Sequence, residues 1–111
     1  MMRSFDPMAA AIDWLDAYRA ADLSIVDLYS PTAVLECGCD AYTLISGKAA
    51  LREYWRRRFS EKPAGALEHL KLSDEAIVVS YQIPSGVVET KLKYDDAGLI
   101  HRKHCCMVQS A

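Results

Sequence analysis

Apolar residues near the N-terminus recur at three-to-four spacing. Met8, Ile12, Leu15 and Tyr18 (or Arg19) fall on one stripe while Asp13 and Asp16 fall elsewhere, which is the pattern of an amphipathic helix. Asp6 is placed to cap it, and Pro7 takes the first helical position, where a missing N–H costs nothing. Ala20-Ala21-Asp22 ends the helix, and Asp22 caps a short second one whose buried side is Ile25, Val26, Leu28 and Tyr29. Ser30-Pro31 stops that element, and Thr32 to Cys37 reads as a short strand. A turn around Gly38 to Asp40 leads into a second extended piece, Ala41 to Ile45. After Ser46-Gly47, a third helix over Lys48 to Ser60 carries Leu51, Tyr54, Trp55 and Phe59 along one side and the arginines on the other.

Beyond Lys62-Pro63-Ala64-Gly65 the pattern is that of sheet. Four strands are predicted, at about Leu67 to Leu72, Ala76 to Ile83, Val87 to Tyr94 and Leu99 to Val108, separated by Ser73-Asp74-Glu75, Pro84-Ser85-Gly86 and Asp95-Asp96-Ala97-Gly98. Connections this short imply an antiparallel meander. Helices first and hairpins later give the α+β class, with helices covering one face of a twisted antiparallel sheet. In the second of these strands Ile77, Val79, Tyr81 and Ile83 alternate with Val78, so both faces are expected to meet protein. A second subunit is the simplest cover for the outer one, and a homodimer through that face is expected.

A chain of 111 residues supports one core, and residues 1–111 read as a single domain without repeats or low-complexity segments. With 13 basic and 15 acidic residues the net charge is -2, which creates no overall field toward a phosphate backbone or an anionic membrane. Neither nucleic acid nor membrane is an expected partner. Arg56-Arg57-Arg58 and His101-Arg102-Lys103-His104 read as solvated faces. No apolar run approaches the ~18 residues of a membrane helix, and Met1 to Ala11 lacks a signal pattern, so a cytoplasmic location with four reduced cysteines is expected.

The order of elements resembles the nuclear transport factor 2-like superfamily, and local stretches match it. Trp14-Leu15-Asp16-Ala17-Tyr18-Arg19-Ala20-Ala21-Asp22-Leu23 resembles that family's first helix and its aspartate-leucine turn. Ser30-Pro31-Thr32-Ala33-Val34-Leu35-Glu36 resembles its first strand, Ser46-Gly47-Lys48-Ala49-Ala50-Leu51-Arg52-Glu53-Tyr54-Trp55 its glycine-led third helix, and Tyr94-Asp95-Asp96-Ala97-Gly98-Leu99-Ile100 the turn into its last strand. The resemblance implies a cone-shaped, curved antiparallel sheet (a cystatin-like roll) wrapped around the N-terminal helices, with a cavity whose floor is apolar. Ketosteroid isomerases, SnoaL-type polyketide cyclases, epoxide hydrolases, dehydratases and non-catalytic modules share that fold, so function rests on the cavity residues.

Against ketosteroid isomerases, the resemblance puts the general-base position at Cys37, the oxyanion tyrosine at Leu15 with Tyr18 one turn on, and the protonated acid near Thr90. Two or three of the three required groups are missing, which argues against that reaction. SnoaL-type cyclases place a His or Asp on the last strand facing the cavity. Alternation here sets His101, Lys103, Cys105 and Met107 against Arg102, His104 and Cys106. Relatives point charge outward at the position of Arg102, which implies that His101, Lys103 and Cys105 face inward. His101 and Lys103 would then form an acid-base pair; the alternative is that both sit at the open rim in solvent. Cys37 near His101 is a candidate nucleophile, or a small thiol that fills space. A one-residue slip would exchange Cys37 for Glu36 and His101 for Arg102.

The expected pocket lining is Leu15, Tyr18, Leu35, Tyr42, Tyr54, Trp55, Thr90, Leu92 and Cys105. Glu36 and Glu89 are expected outward, in surface ion pairs or a dimer contact. Adjacent Cys105 and Cys106 and the close pair Cys37 and Cys39 do not suit zinc, and no glycine-rich phosphate cradle is present, so neither metal nor cofactor is expected. The expected function is a small-molecule-binding domain with a partly apolar pocket, acting as an isomerase, cyclase or lyase on a carbonyl-bearing compound. The alternative is a non-catalytic binding or dimerisation module whose cavity is filled by its own side chains.

Overall fold

The computed structural model describes the backbone of residues 6–37, 43–73 and 75–108, and the side chains of the same residues except 37, 43 and 105–108. The expected turn at Gly38 to Asp40 lies outside the described residues.

Helix α1 (Pro7–Arg19) starts as its sequence dictates, because the Asp6 carboxylate accepts from the backbone N–H groups of Met8 (3.0 Å) and Ala9 (3.3 Å), with Pro7 following it. A 3₁₀ turn over Leu23–Leu28 is capped in the same way by Asp22, whose carboxylate accepts from the Ser24 N–H at 3.0 Å. That bond holds the Asp22 carboxyl below its ordinary 3.8. Helix α2 (Lys48–Glu61) starts at Gly47, whose φ of 92° lies where an L side chain is strained, so the residue here is glycine for conformational reasons.

Six strands follow: β1 (Tyr29–Cys37), β2 (Thr43–Ser46), β3 (Leu67–Ser73), β4 (Ala76–Ile83), β5 (Gly86–Tyr94) and β6 (Ile100–Val108). They form one sheet in the order β2-β1-β6-β5-β4-β3. The meander from β3 to β6 is antiparallel, as the short connections imply. β1 joins β6 in parallel, so one pairing in the sheet departs from the expected antiparallel pattern. β1 also begins at Tyr29 rather than Thr32. It passes through Pro31 in a stretch where the register against β6 shifts, between Tyr29↔Ile100 and Val34↔Arg102, and such irregular stretches are where a strand tolerates proline.

The two helices cover one face of the sheet and bury Trp14, Leu15, Tyr18, Leu51 and Trp55 against Leu35, Ile77, Val79, Tyr81 and Leu92. The buried stripe of α1 is Ala11, Trp14, Leu15 and Tyr18, with Met8 and Ile12 only half-buried. On α2 the buried positions are Leu51, Trp55 and Arg58, so one of the arginines assigned to the outer side lies inside, 4% exposed. Both faces of β4 are buried, as the alternation implies. Val78 and Ser80 are already buried within the single chain, and Val78 lies in register between Lys71 and Lys91, whose long aliphatic stems can cover it. Burying Val78 therefore needs no second subunit. Among the described residues no helix is long and apolar enough to cross a membrane.

Candidate functional site

The last strand decides which of its charged residues enter the interior. Tyr94 pairs with Ile100 and Lys93 with Arg102, so His101 is an extra residue, a β-bulge that breaks the alternation. Ile100 and Lys103 are buried, and His101 and Arg102 are both exposed. The expectation that His101 and Lys103 share the inner face is thereby corrected: the bulge turns His101 out to solvent and keeps Lys103 in. Register on β1 is settled by the same burial pattern. Leu35 is 0% exposed, and Glu36 is on the outer face, where its carboxylate accepts from Arg102 Nη2 at 2.6 Å.

Lys103 is fully buried among aromatic rings. Its ammonium donates to the Tyr54 hydroxyl at 3.3 Å and stands 5.3 Å from the centre of the Tyr54 ring, 5.5 Å from Trp55 and 6.0 Å from Trp14. These are cation–π distances, and the ring faces supply part of the stabilisation that water gives an exposed ammonium. Trp14 Nε1 donates to the Tyr29 hydroxyl at 3.0 Å. Trp55 Nε1 is different: it is buried and has no hydrogen-bond acceptor among the described residues. A buried N–H without an acceptor is uncommon in folded proteins, and a site for a ligand or water oxygen is one of its ordinary explanations.

Arg58 forms a second buried cationic centre. Its Nε donates to the Tyr18 hydroxyl at 2.8 Å, and its Nη2 to the Tyr81 hydroxyl at 3.4 Å. Its guanidinium carbon lies 5.8 Å from the Tyr18 ring and 5.9 Å from the Tyr54 ring, so Tyr54 stands beside both cations. The Tyr18 hydroxyl donates to the backbone carbonyl of Lys62, which ties α1 to the end of α2. The Thr90 hydroxyl donates to Tyr81 at 3.4 Å. Tyr18 and Thr90, the two hydroxyls nearest the oxyanion positions of a ketosteroid isomerase, thus spend their protons inside the protein.

No family model matches the chain, and a search of curated proteins by sequence returns no match. A crystal structure of a SnoaL-like protein of unknown function from Burkholderia thailandensis superposes with a TM-score of 0.79 over 98% of this chain and 99% of that one, at 14% identity. The fold is SnoaL-like. The curved, unclosed six-stranded sheet with N-terminal helices on one face is the α+β architecture of that fold.

Within this SnoaL-like fold, Leu15, Tyr18, Leu35, Trp55, Thr90, Leu92 and Lys103 are buried together, and half-buried Tyr54 connects them to the surface. Tyr42 and the side chains of Cys37 and Cys105 lie outside the described residues. The interior also holds Trp14, Arg58 and Tyr81, which are not among the expected pocket residues. Among the described residues no cluster of three His, Cys, Asp or Glu could hold a metal.

A separate cleft of about 50 Å³ lies between α1 and the β5–β6 turn, lined by Ala10, Asp13, Leu28, Tyr94, Gly98 and Ile100. It is smaller than the few hundred Å³ that an organic ligand needs. Burial raises the Tyr94 phenol well above its ordinary 10.0, and the Asp13 carboxylate adds to the effect. The fold therefore favours the neutral phenol. Its contribution to stability is complete below pH 10.0 and is lost as pH rises toward the folded value. Tyr94→Phe is expected to flatten the alkaline fall of the urea midpoint, and an unchanged alkaline limb would show that Tyr94 does not set it.

Proposed function

We propose that this SnoaL-like domain binds a small molecule through a carbonyl or carboxylate oxygen, in the interior around Trp55, Lys103 and Tyr54. The observation that carries the reading is the buried Trp55 Nε1–H without a described acceptor, in the ring that also faces the Lys103 ammonium at 5.5 Å. Donors near a low-dielectric interior are suited to an oxygen that carries or develops negative charge. The buried polar and charged side chains among the described residues are Ser30, Arg58, Ser80, Thr90 and Lys103, without a carboxylate or imidazole. Such a set polarises or anchors an oxygen, and a reaction on a carbonyl compound would need a base from elsewhere.

One observation favours the second reading, a non-catalytic module with a side-chain-filled interior. The rings of Trp14, Tyr18, Trp55 and Tyr81 meet edge to face with centroids 4.8–5.9 Å apart, and all four are fully buried. A homodimer through the outer face of the sheet belongs to the same proposal. Its support is Leu44, 61% exposed and in register beside the outward Glu36.

A thermal-shift and calorimetric panel of 2-oxo acids, ketones and polyketide-like compounds separates the two readings. A compound that raises the unfolding midpoint of the wild type is expected to bind Trp55→Phe about tenfold more weakly, the equivalent of ~1.4 kcal/mol and of one buried hydrogen bond. Lys103→Met is expected to lose more. If no compound shifts the wild type, the filled-module reading takes over.

A further inference from the structure

Cys37 and Cys105 are register partners on β1 and β6. Cys105 is also the partner of Thr90, and Thr90 of Val79, so the four residues form one row across four strands. Two residues back along β1 and β6, the neighbouring row on the same side is Leu35, Lys103, Leu92 and Ile77. All four of these are buried, as are Thr90 and Val79. The parallel pairing of β1 with β6 thus joins two cysteines far apart in the sequence in the row next to Lys103.

Neighbouring strands lie about 4.7–4.9 Å apart, which sets register partners within the ~4.4–6.8 Å between Cα atoms that a disulfide spans. In a parallel pair the Cα–Cβ bonds of register partners run side by side. Their separation then stays near the strand spacing, beyond the ~3.5–4.5 Å between Cβ atoms of a relaxed disulfide. A bond at this place requires a local backbone adjustment, and strained disulfides are the readily reduced ones.

We propose that Cys37 and Cys105 are an oxidation site that forms a reversible disulfide between β1 and β6. The oxidant is a hydroperoxide. One thiolate attacks the peroxide oxygen, takes it up as sulfenic acid and releases the other oxygen as water once protonated; the second thiol attacks that sulfur, the S–S bond forms and a second water leaves. Two thiols lose two protons and two electrons, and hydrogen peroxide is reduced to two waters. Glutathione reverses the step by thiol–disulfide exchange, with oxidised glutathione as the product. Cys106 pairs with Glu89, one position along and in a row of the other face, so it does not share this site. The disulfide does not depend on the ligand site proposed above.

Two variants separate the cysteines: Cys39→Ser/Cys106→Ser keeps Cys37 and Cys105, and Cys37→Ser/Cys105→Ser keeps the other two. Each is treated with hydrogen peroxide, its remaining thiols are alkylated, and the intact mass is read before and after glutathione. The first is expected to become two hydrogens lighter as a monomer, take no alkyl group, and regain both thiols with glutathione. The second is expected to keep both thiols. Thiols that stay free in the first variant, or an equal loss in the second, would overturn the proposal. Fragmentation of oxidised, digested wild type gives the same reading without substitutions: a Cys37–Cys105 link supports it, and a Cys37–Cys39 or Cys105–Cys106 link contradicts it.

Discussion

Trp14→Ala is expected to cost about 3–5 kcal/mol, the range for deleting a large aromatic from a core. For a domain whose whole stability is on the order of 5–15 kcal/mol, that is a large share of the total. Trp14 is fully buried in the interior. Its ring meets Tyr18, Tyr81 and Trp55 at centroid distances of 5.7, 5.8 and 5.9 Å, and its Nε1 holds the buried Tyr29 hydroxyl at the start of β1. Alanine removes the packing of three rings at once and leaves that hydroxyl without its donor. Trp14→Phe keeps a ring in place and is expected to cost only about 1–2 kcal/mol, most of it the lost hydrogen bond. Urea unfolding of both variants measures the difference. A cost below about 1 kcal/mol for alanine would mean that the core closes without this ring, contrary to the packing described.

Arg58→Ala is the second large effect, at about 2–4 kcal/mol, since hydrogen bonds from a charged donor contribute roughly 1.5–3 kcal/mol each and the aliphatic stem is lost with them. Arg58 links α2 to both α1 and the sheet through the hydroxyls of Tyr18 and Tyr81. Tyr18→Phe removes the other half of the first link and also strips the Lys62 carbonyl of its donor. The double variant is expected to cost less than the sum of the singles by about 1–2 kcal/mol, because both substitutions break one shared interaction. Strict additivity in denaturant unfolding would show that the Arg58–Tyr18 bond, 2.8 Å long, adds nothing to stability.

What could be read from the sequence was local. Asp6-Pro7 marks the start of α1 through two hydrogen bonds made within three residues, and the Asp95 turn closes the last hairpin the same way, with its carboxylate accepting from Ala97 and Leu99. Long alternating runs fixed the strands of the meander for the same reason. The parallel partner of β1 was not legible, because it joins residues far apart in the chain and no neighbouring residue encodes it. The His101 bulge was not legible either: alternation is the only local rule on a strand, and one inserted residue defeats it. That single residue accounts for the misplaced His101 and leaves Lys103 alone of the expected pair inside.

Arg58 shows a different limit. Leu51, Trp55 and Arg58 have the spacing of one helical face, so the position was available from the sequence; its chemistry argued against burial. The signal that could have found it is the chain's six tyrosines, whose hydroxyls can accept from a buried guanidinium. Trp55 is a pocket residue on the sequence alone, but the lack of an acceptor for its N–H among the described residues is visible only in the fold.

The central claim, that the interior around Trp55 receives a ligand oxygen, is tested most directly by the indole region of a ¹H–¹⁵N spectrum. The chain has two tryptophans, Trp14 and Trp55, so two indole signals are expected, assigned by the loss of one in Trp14→Phe. With a compound that raises the unfolding midpoint, the account predicts that the Trp55 signal shifts and its N–H exchanges more slowly with solvent, while the Trp14 signal, already bonded to Tyr29, moves less. A compound that binds and leaves the Trp55 signal unmoved would contradict it.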